Sequence, residues 1–172
     1  MNVLIIKLGA TGDVVRTTSL LRRLSGSVIW ITASKNMAVL EVVENKLRRF
    51  SWEEREKALD GRYDLVINLE DTLDVAQFLK ASRYNKIFGA YADCNNSVQY
   101  TENAKRWFDL GLISAHGKQQ ADKLKFRNRS TYQEMVFEGL GLEFSGDRYS
   151  LPKPVETGLS GDVAIAADAG PI

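Results

Sequence analysis

VLIIKLGATGDVVRTTSLLRRL, residues 3–24, is the stretch that decides the fold. Val3 to Leu8 is a run rich in β-branched residues that ends at Gly9. It reads as a strand buried on both faces, the kind found inside parallel sheets. Gly9, Ala10, Thr11 and Gly12 make a tight turn. Asp13 to Leu24 then reads as a helix, with Val14, Thr17, Leu21 and Leu24 on one face and Arg16, Arg22 and Arg23 left for solvent. Working outward, SVIWIT (27–32) is a second strand, 37–44 a short helix, 47–52 an edge-like third strand and 53–59 a polar helix. DLVINL (64–69) is a strong fourth strand, 71–81 a helix and NKIFGAY (85–91) a fifth strand. Segments 101–110 and 130–140 read as further helices, the last closed by the glycine cap Gly139-Leu140-Gly141. Segments 93–99 and 116–129 read as loops. Strands alternating with helices call for an α/β fold, a Rossmann-like doubly wound parallel sheet with helices on both faces.

Composition limits what such a domain does. The chain has 172 residues, which suits one full domain. Its 23 basic and 22 acidic residues leave a net charge of +1, so there is no overall electrostatic footprint for nucleic acid and none for broad adhesion to anionic membranes. One segment departs from this balance: 116–129 carries Lys118, Lys123, Lys125, Arg127 and Arg129 against Asp122 alone. Cys94 and His116 are the sole cysteine and histidine, which rules out an intrachain disulfide and argues against a His/Cys metal site; neither receives a role. A lone thiol fits a reducing compartment, and the cytoplasm is the expected location. No apolar run approaches the roughly 20 residues of a membrane helix. Leu151-Pro152-Lys153-Pro154 signals a linker. The expected domains are therefore 1–150, a linker at 151–161, and a second domain opening with the strand DVAIAA at 162–167 and continuing beyond Ile172. The competing reading adds that strand to the first sheet.

Ligands of open α/β sheets sit outside the carboxyl ends of the strands. The first such turn holds two glycines that let a ligand approach the backbone, the Thr11 hydroxyl, and Asp13 at the helix start. The helix dipole favours a charged carboxylate there, and a charged carboxylate accepts a proton from an attacking hydroxyl. On spacing alone Asp13 is either that base or a helix cap. Glu70 and Asp71 end the fourth strand and face the same crevice, as sugar ligands or as helix caps. Lys7 is placed to steady Asp13 or to touch an anionic group. A dinucleotide fingerprint needs G-x-G-x-x-G, and here the first glycine pair is spaced by two residues and Val15 occupies the last glycine's position. The P-loop ending G-K-[ST] is missing.

The same residues resemble a known family. VLIIKLGATGDVVRTTSLLRRL (3–24), YDLVINLED (63–71), IFGAY (87–91), YTENAKRWFDLGL (100–112), STYQEMVFEGLGLEFSG (130–146) and the following LPKP are similar, in that order, to glycosyltransferase family 9, the ADP-heptose:lipopolysaccharide heptosyltransferases. The resemblance implies a two-domain GT-B-type enzyme, of which this chain is the N-terminal, acceptor-binding half. The donor, an ADP-heptose-like nucleotide sugar, would be bound by the C-terminal domain. Transfer would invert the anomeric carbon without a metal or other cofactor, and Asp13 would deprotonate the acceptor hydroxyl. Lys7, Thr11, Gly12, Arg16, Glu70 and Asp71 become the candidate acceptor-binding residues. The implied partners are a lipopolysaccharide-core or related glycan or glycolipid, with peripheral membrane association through that acceptor. The chain departs from the family pattern at Gly9 and Ala10, where hydroxyl residues are expected. The alternative function is a free-standing Rossmann-like domain that binds a sugar or nucleotide without catalysis.

Overall fold

The computed structural model describes residues 1–41, 47–154, 158 and 161. The strand read at 162–167, most of the linker after Pro154 and the end of the helix read at 37–44 lie outside the described residues. Strand β1 (Asn2–Ile6) is central. It pairs in parallel with β2 (Ser27–Thr32) on one side and β4 (Arg62–Asn68) on the other. Strand β3 (Leu47–Ser51) lies beyond β2 and β5 (Arg83–Ala92) beyond β4, both parallel. A short strand β6 (Val98–Tyr100) pairs antiparallel with β5 and completes the order β3-β2-β1-β4-β5-β6. The fold is α/β, with a mostly parallel doubly wound sheet.

The apolar run of β1 is buried on both faces. Val3 and Ile5 join a core with Val14, Leu20, Phe88 and Val136, while Leu4 and Ile6 join another with Ala58, Val75 and Leu79. Alternate residues of one strand thus anchor two layers, each fully buried aliphatic contributing roughly 1.5–3 kcal/mol. The first layer is α1 (Thr11–Thr17), α3 (Lys105–Phe108) and α5 (Tyr132–Gly139); the second includes α2 (Leu73–Ala81).

Four local expectations are corrected. The helix expected at 13–24 starts at Thr11 and tightens into a 3-10 helix over Thr18–Arg22. The cause is the run Thr17-Thr18-Ser19, whose hydroxyls donate to the carbonyls of Asp13, Val15 and Arg16 and compete with the helical ladder. The segments at 34–40 and 52–58 are likewise 3-10 helices. The loop expected at 93–99 gives up Val98 and Gln99 to β6. The loop expected at 116–129 contains the helix α4 (Lys118–Arg127). The glycine cap at the end of α5 forms as expected. Gly141, at φ +71°, donates to Glu138 O at 2.9 Å and Leu142 donates to Phe137 O at 2.8 Å, the paired bonds of a Schellman ending.

Candidate active site

The sheet order reverses between β1 and β4, and in open α/β sheets that switch point is where the crevice forms. A cleft of about 530 Å³ lies there, inside the range of roughly 300–1,000 Å³ typical of small-ligand sites. Lys7 and Gly9 enter it from the end of β1, Asp13 and Arg16 from α1, and Leu69, Glu70 and Asp71 from the end of β4. Its far wall is Trp107, Tyr132 and Met135, with Lys125, Asn128 and Ser130 on the rim.

The turn after β1 is held by a carboxylate. Glu70 Oε1 accepts from the Lys7 ammonium at 2.9 Å, the Leu8 amide at 2.8 Å and the Gly9 amide at 3.4 Å. The Lys7 ammonium also donates to Leu69 O at 3.4 Å. Asn68 aligns this arrangement: its Nδ2 donates to Ala90 O at 2.8 Å and its Oδ1 accepts the Glu70 amide at 3.1 Å. Glu70 therefore caps no helix; it fastens the end of β4 to the end of β1. The Leu8 and Gly9 amides are already engaged, which removes them as phosphate donors.

Asp13 is not a cap either. The residue at the N-cap of α1 is Ala10, and Asp13 sits in the first turn. Its Oδ2 lies 3.9 Å from the Lys7 ammonium and its Oδ1 3.3 Å from the Arg16 guanidinium. The side chain keeps 24% of its surface exposed, toward the cleft, while that of Lys7 keeps 7%. The carboxylate thus faces the cavity between a buried and an exposed cation.

The remaining candidates divide. Arg16 and Asp71 line the cleft. Thr11 and Gly12 do not line it. The Thr11 hydroxyl donates to Asn36 Oδ1 at 2.7 Å, and Asn36 Nδ2 donates to Leu8 O at 2.7 Å, so Thr11 braces the turn from outside. His116 and Cys94 are exposed and do not line the cleft. His116 Nε2 lies 3.5 Å from Asp109 Oδ2. Among the described residues, no group of three or more His, Cys, Asp or Glu side chains is arranged to hold a metal ion.

The wall residues were not foreseen from sequence. Tyr132 is buried, and Arg16 stands over its ring at 5.6 Å. Trp107 meets the same ring edge-on at 4.6 Å. The Thr17 hydroxyl gives its one proton to Asp13 O, so in the 2.6 Å contact between Thr17 and Tyr132 it is Tyr132 that donates. Burial pushes the Tyr132 hydroxyl well above its ordinary range, so the phenol stays protonated. Tyr132 thus links α5 to the helix that carries Asp13.

No protein-family model matches the sequence, and no curated protein matches it. Among solved structures, E. coli heptosyltransferase WaaC with ADP shares the fold, at a TM-score of 0.51 and 15% identity over 87% of this chain. The match covers 50% of the WaaC chain. The chain therefore spans about half the length of that structure, and the likeness is one of fold.

Proposed function

We propose that this chain is the acceptor-binding half of a glycosyltransferase of the family 9 type. It would act on a lipopolysaccharide-core or related glycan, with a heptose-like sugar supplied by a nucleotide donor. The observation that carries the reading is the Asp13 carboxylate, which faces a switch-point cleft in a fold matching half of WaaC. The donor half would follow the linker near residue 161. Asp13 takes the proton of an acceptor hydroxyl as its oxygen attacks the anomeric carbon from the face opposite the leaving group. The bond from that carbon to the nucleotide diphosphate breaks, and the diphosphate departs with the electron pair. No metal takes part in this scheme. Lys7 and Glu70 hold the turn so that the carboxylate keeps its aim, and Arg16 and Asp71 meet the acceptor.

Calorimetric titration of the 172-residue chain tests the division of labour. Lipopolysaccharide-core oligosaccharide should bind, and more weakly to Arg16→Ala. ADP-heptose should show no saturable binding at comparable concentrations. Tight ADP-heptose binding by this chain, with none of the oligosaccharide, would overturn the assignment.

A further inference from the structure

Asp13 stands on a helix that does little to hold itself. Helix α1 has seven residues, and Ala10 at its N-cap offers no side chain to the free amides of the first turn. Just beyond it, the Thr17, Thr18 and Ser19 hydroxyls turn the chain into a 3-10 helix. A helix this short is marginal in water, so the direction of Asp13 has to come from what packs against it. Lys7 contributes little to that direction. Its ammonium is committed to Glu70 at 2.9 Å and stands 3.9 Å from Asp13 Oδ2.

One side chain reaches Asp13 by two routes. Tyr132, only 5% exposed, donates to the Thr17 hydroxyl at 2.6 Å, and that hydroxyl donates to Asp13 O at 2.7 Å. The Tyr132 ring carries the Arg16 guanidinium at 5.6 Å, and Arg16 lies 3.3 Å from Asp13 Oδ1. The first route holds the backbone of Asp13 and the second its carboxylate. Tyr132 is itself well fixed. It opens α5 beside a capping box, in which the Glu134 amide donates to Thr131 Oγ1 at 3.2 Å and the Thr131 amide donates to the Glu134 carboxylate at 2.6 Å. Trp107 of α3 meets the ring edge-on at 4.6 Å. We propose that Tyr132 is a positioning residue, which transmits the rigidity of α5 to the Asp13 carboxylate through Thr17 and Arg16. The inference rests on the reading of Asp13 as the base.

The test is a double-mutant cycle on kcat for sugar transfer at saturating acceptor, in a protein that carries the proposed donor half. Tyr132→Phe keeps the ring beneath Arg16 and releases Thr17; Tyr132→Leu releases both routes. Expected is a fall in kcat of about tenfold in Tyr132→Leu and a smaller one in Tyr132→Phe, with KM for ADP-heptose unchanged. With Asp13→Asn already in place, adding Tyr132→Leu should change kcat by less than about twofold, because no base is left to aim. A side chain that only helps the chain fold would lower kcat by the same factor in both backgrounds. That result, or an unchanged kcat in Tyr132→Leu with Asp13 present, would overturn the proposal and leave Asp13 as the base. Parent-like kcat in Asp13→Asn, or no transfer by the parent, would instead remove the reading of Asp13 and this inference with it.

Discussion

Lys7 is a buried lysine at the end of a central strand, and such a group needs a partner. Glu70 supplies it at 2.9 Å, and Asp13 is the next anion, at 3.9 Å. Removing the ammonium leaves Glu70 with backbone donors alone and strips Asp13 of its inner cation. Lys7→Met should therefore cost about 3 kcal/mol of stability, at the lower end for a buried pair that loses one member, as read by urea denaturation. A loss below about 0.5 kcal/mol, the level of an ordinary surface change, would show that the pair holds nothing. At this scale the site was half legible. Lys7, Asp13, Glu70 and Asp71 follow from where strands end and helices begin, whereas Arg16, solvent-facing by its helical spacing, became a candidate only through the family resemblance; the structure brings all five to one cleft. Thr11 has the right place in the sequence, but Asn36, twenty-five positions away, takes its hydroxyl. Trp107, Tyr132 and Met135 reach the cleft only through packing of the far layer, which no local pattern encodes.

At the scale of elements, strands were more legible than helices. Apolar runs such as NVLII and RYDLVIN sit in the sheet close to their expected bounds. The basic segment was read as loop because α4 buries Ala121 alone, and Gly117, at its N-cap, provides no side-chain cap. A helix without an apolar stripe leaves no period to read. The join between β4 and β5 depends on Gly89, which pairs with Asn68 at φ +112°. A Cβ there would lie 1.7 Å from Asn68 O. The backbone strain alone costs roughly 1–3 kcal/mol, and the collision adds to it. Gly89→Ala is expected to lower the melting temperature sharply and to disturb the Asn68–Glu70 link; an unchanged melting temperature would contradict the register.

Across the whole molecule, carboxylates fasten both distant segments and helix ends. Asp147 grips Arg23 through two hydrogen bonds of 2.6 and 2.9 Å, tying residues beyond α5 to the first helical layer. That pairing holds the Asp147 carboxyl below its ordinary value of 3.8, while the Thr131 amide foremost holds Glu134 below 4.5. With folded values below unfolded ones, the unfolded chain binds more protons in between. The stabilisation is complete above the unfolded values and is lost as pH falls through the lowered ones. The melting temperature should be flat near neutrality and drop as pH falls below these ordinary values. Asp147→Asn should start lower and fall less steeply; parallel curves for parent and variant would contradict this assignment. The doubly wound α/β class and a crevice at the strand ends were legible at this scale, because βαβ connections leave few alternative topologies; the strand order and the antiparallel β6 come from the structure. The second domain expected from residue 162 lies outside the described residues.

The central claim is that Asp13 removes the acceptor's proton. It is tested most directly by the turnover number for sugar transfer from ADP-heptose to lipopolysaccharide core, measured with Asp13 and with Asp13→Asn on a protein that carries the proposed donor half. Asparagine keeps the shape of the side chain and loses the base. The account predicts a fall in kcat of about 10²–10⁴-fold, with oligosaccharide binding and the circular dichroism spectrum retained. A kcat within a few-fold of the parent would contradict it.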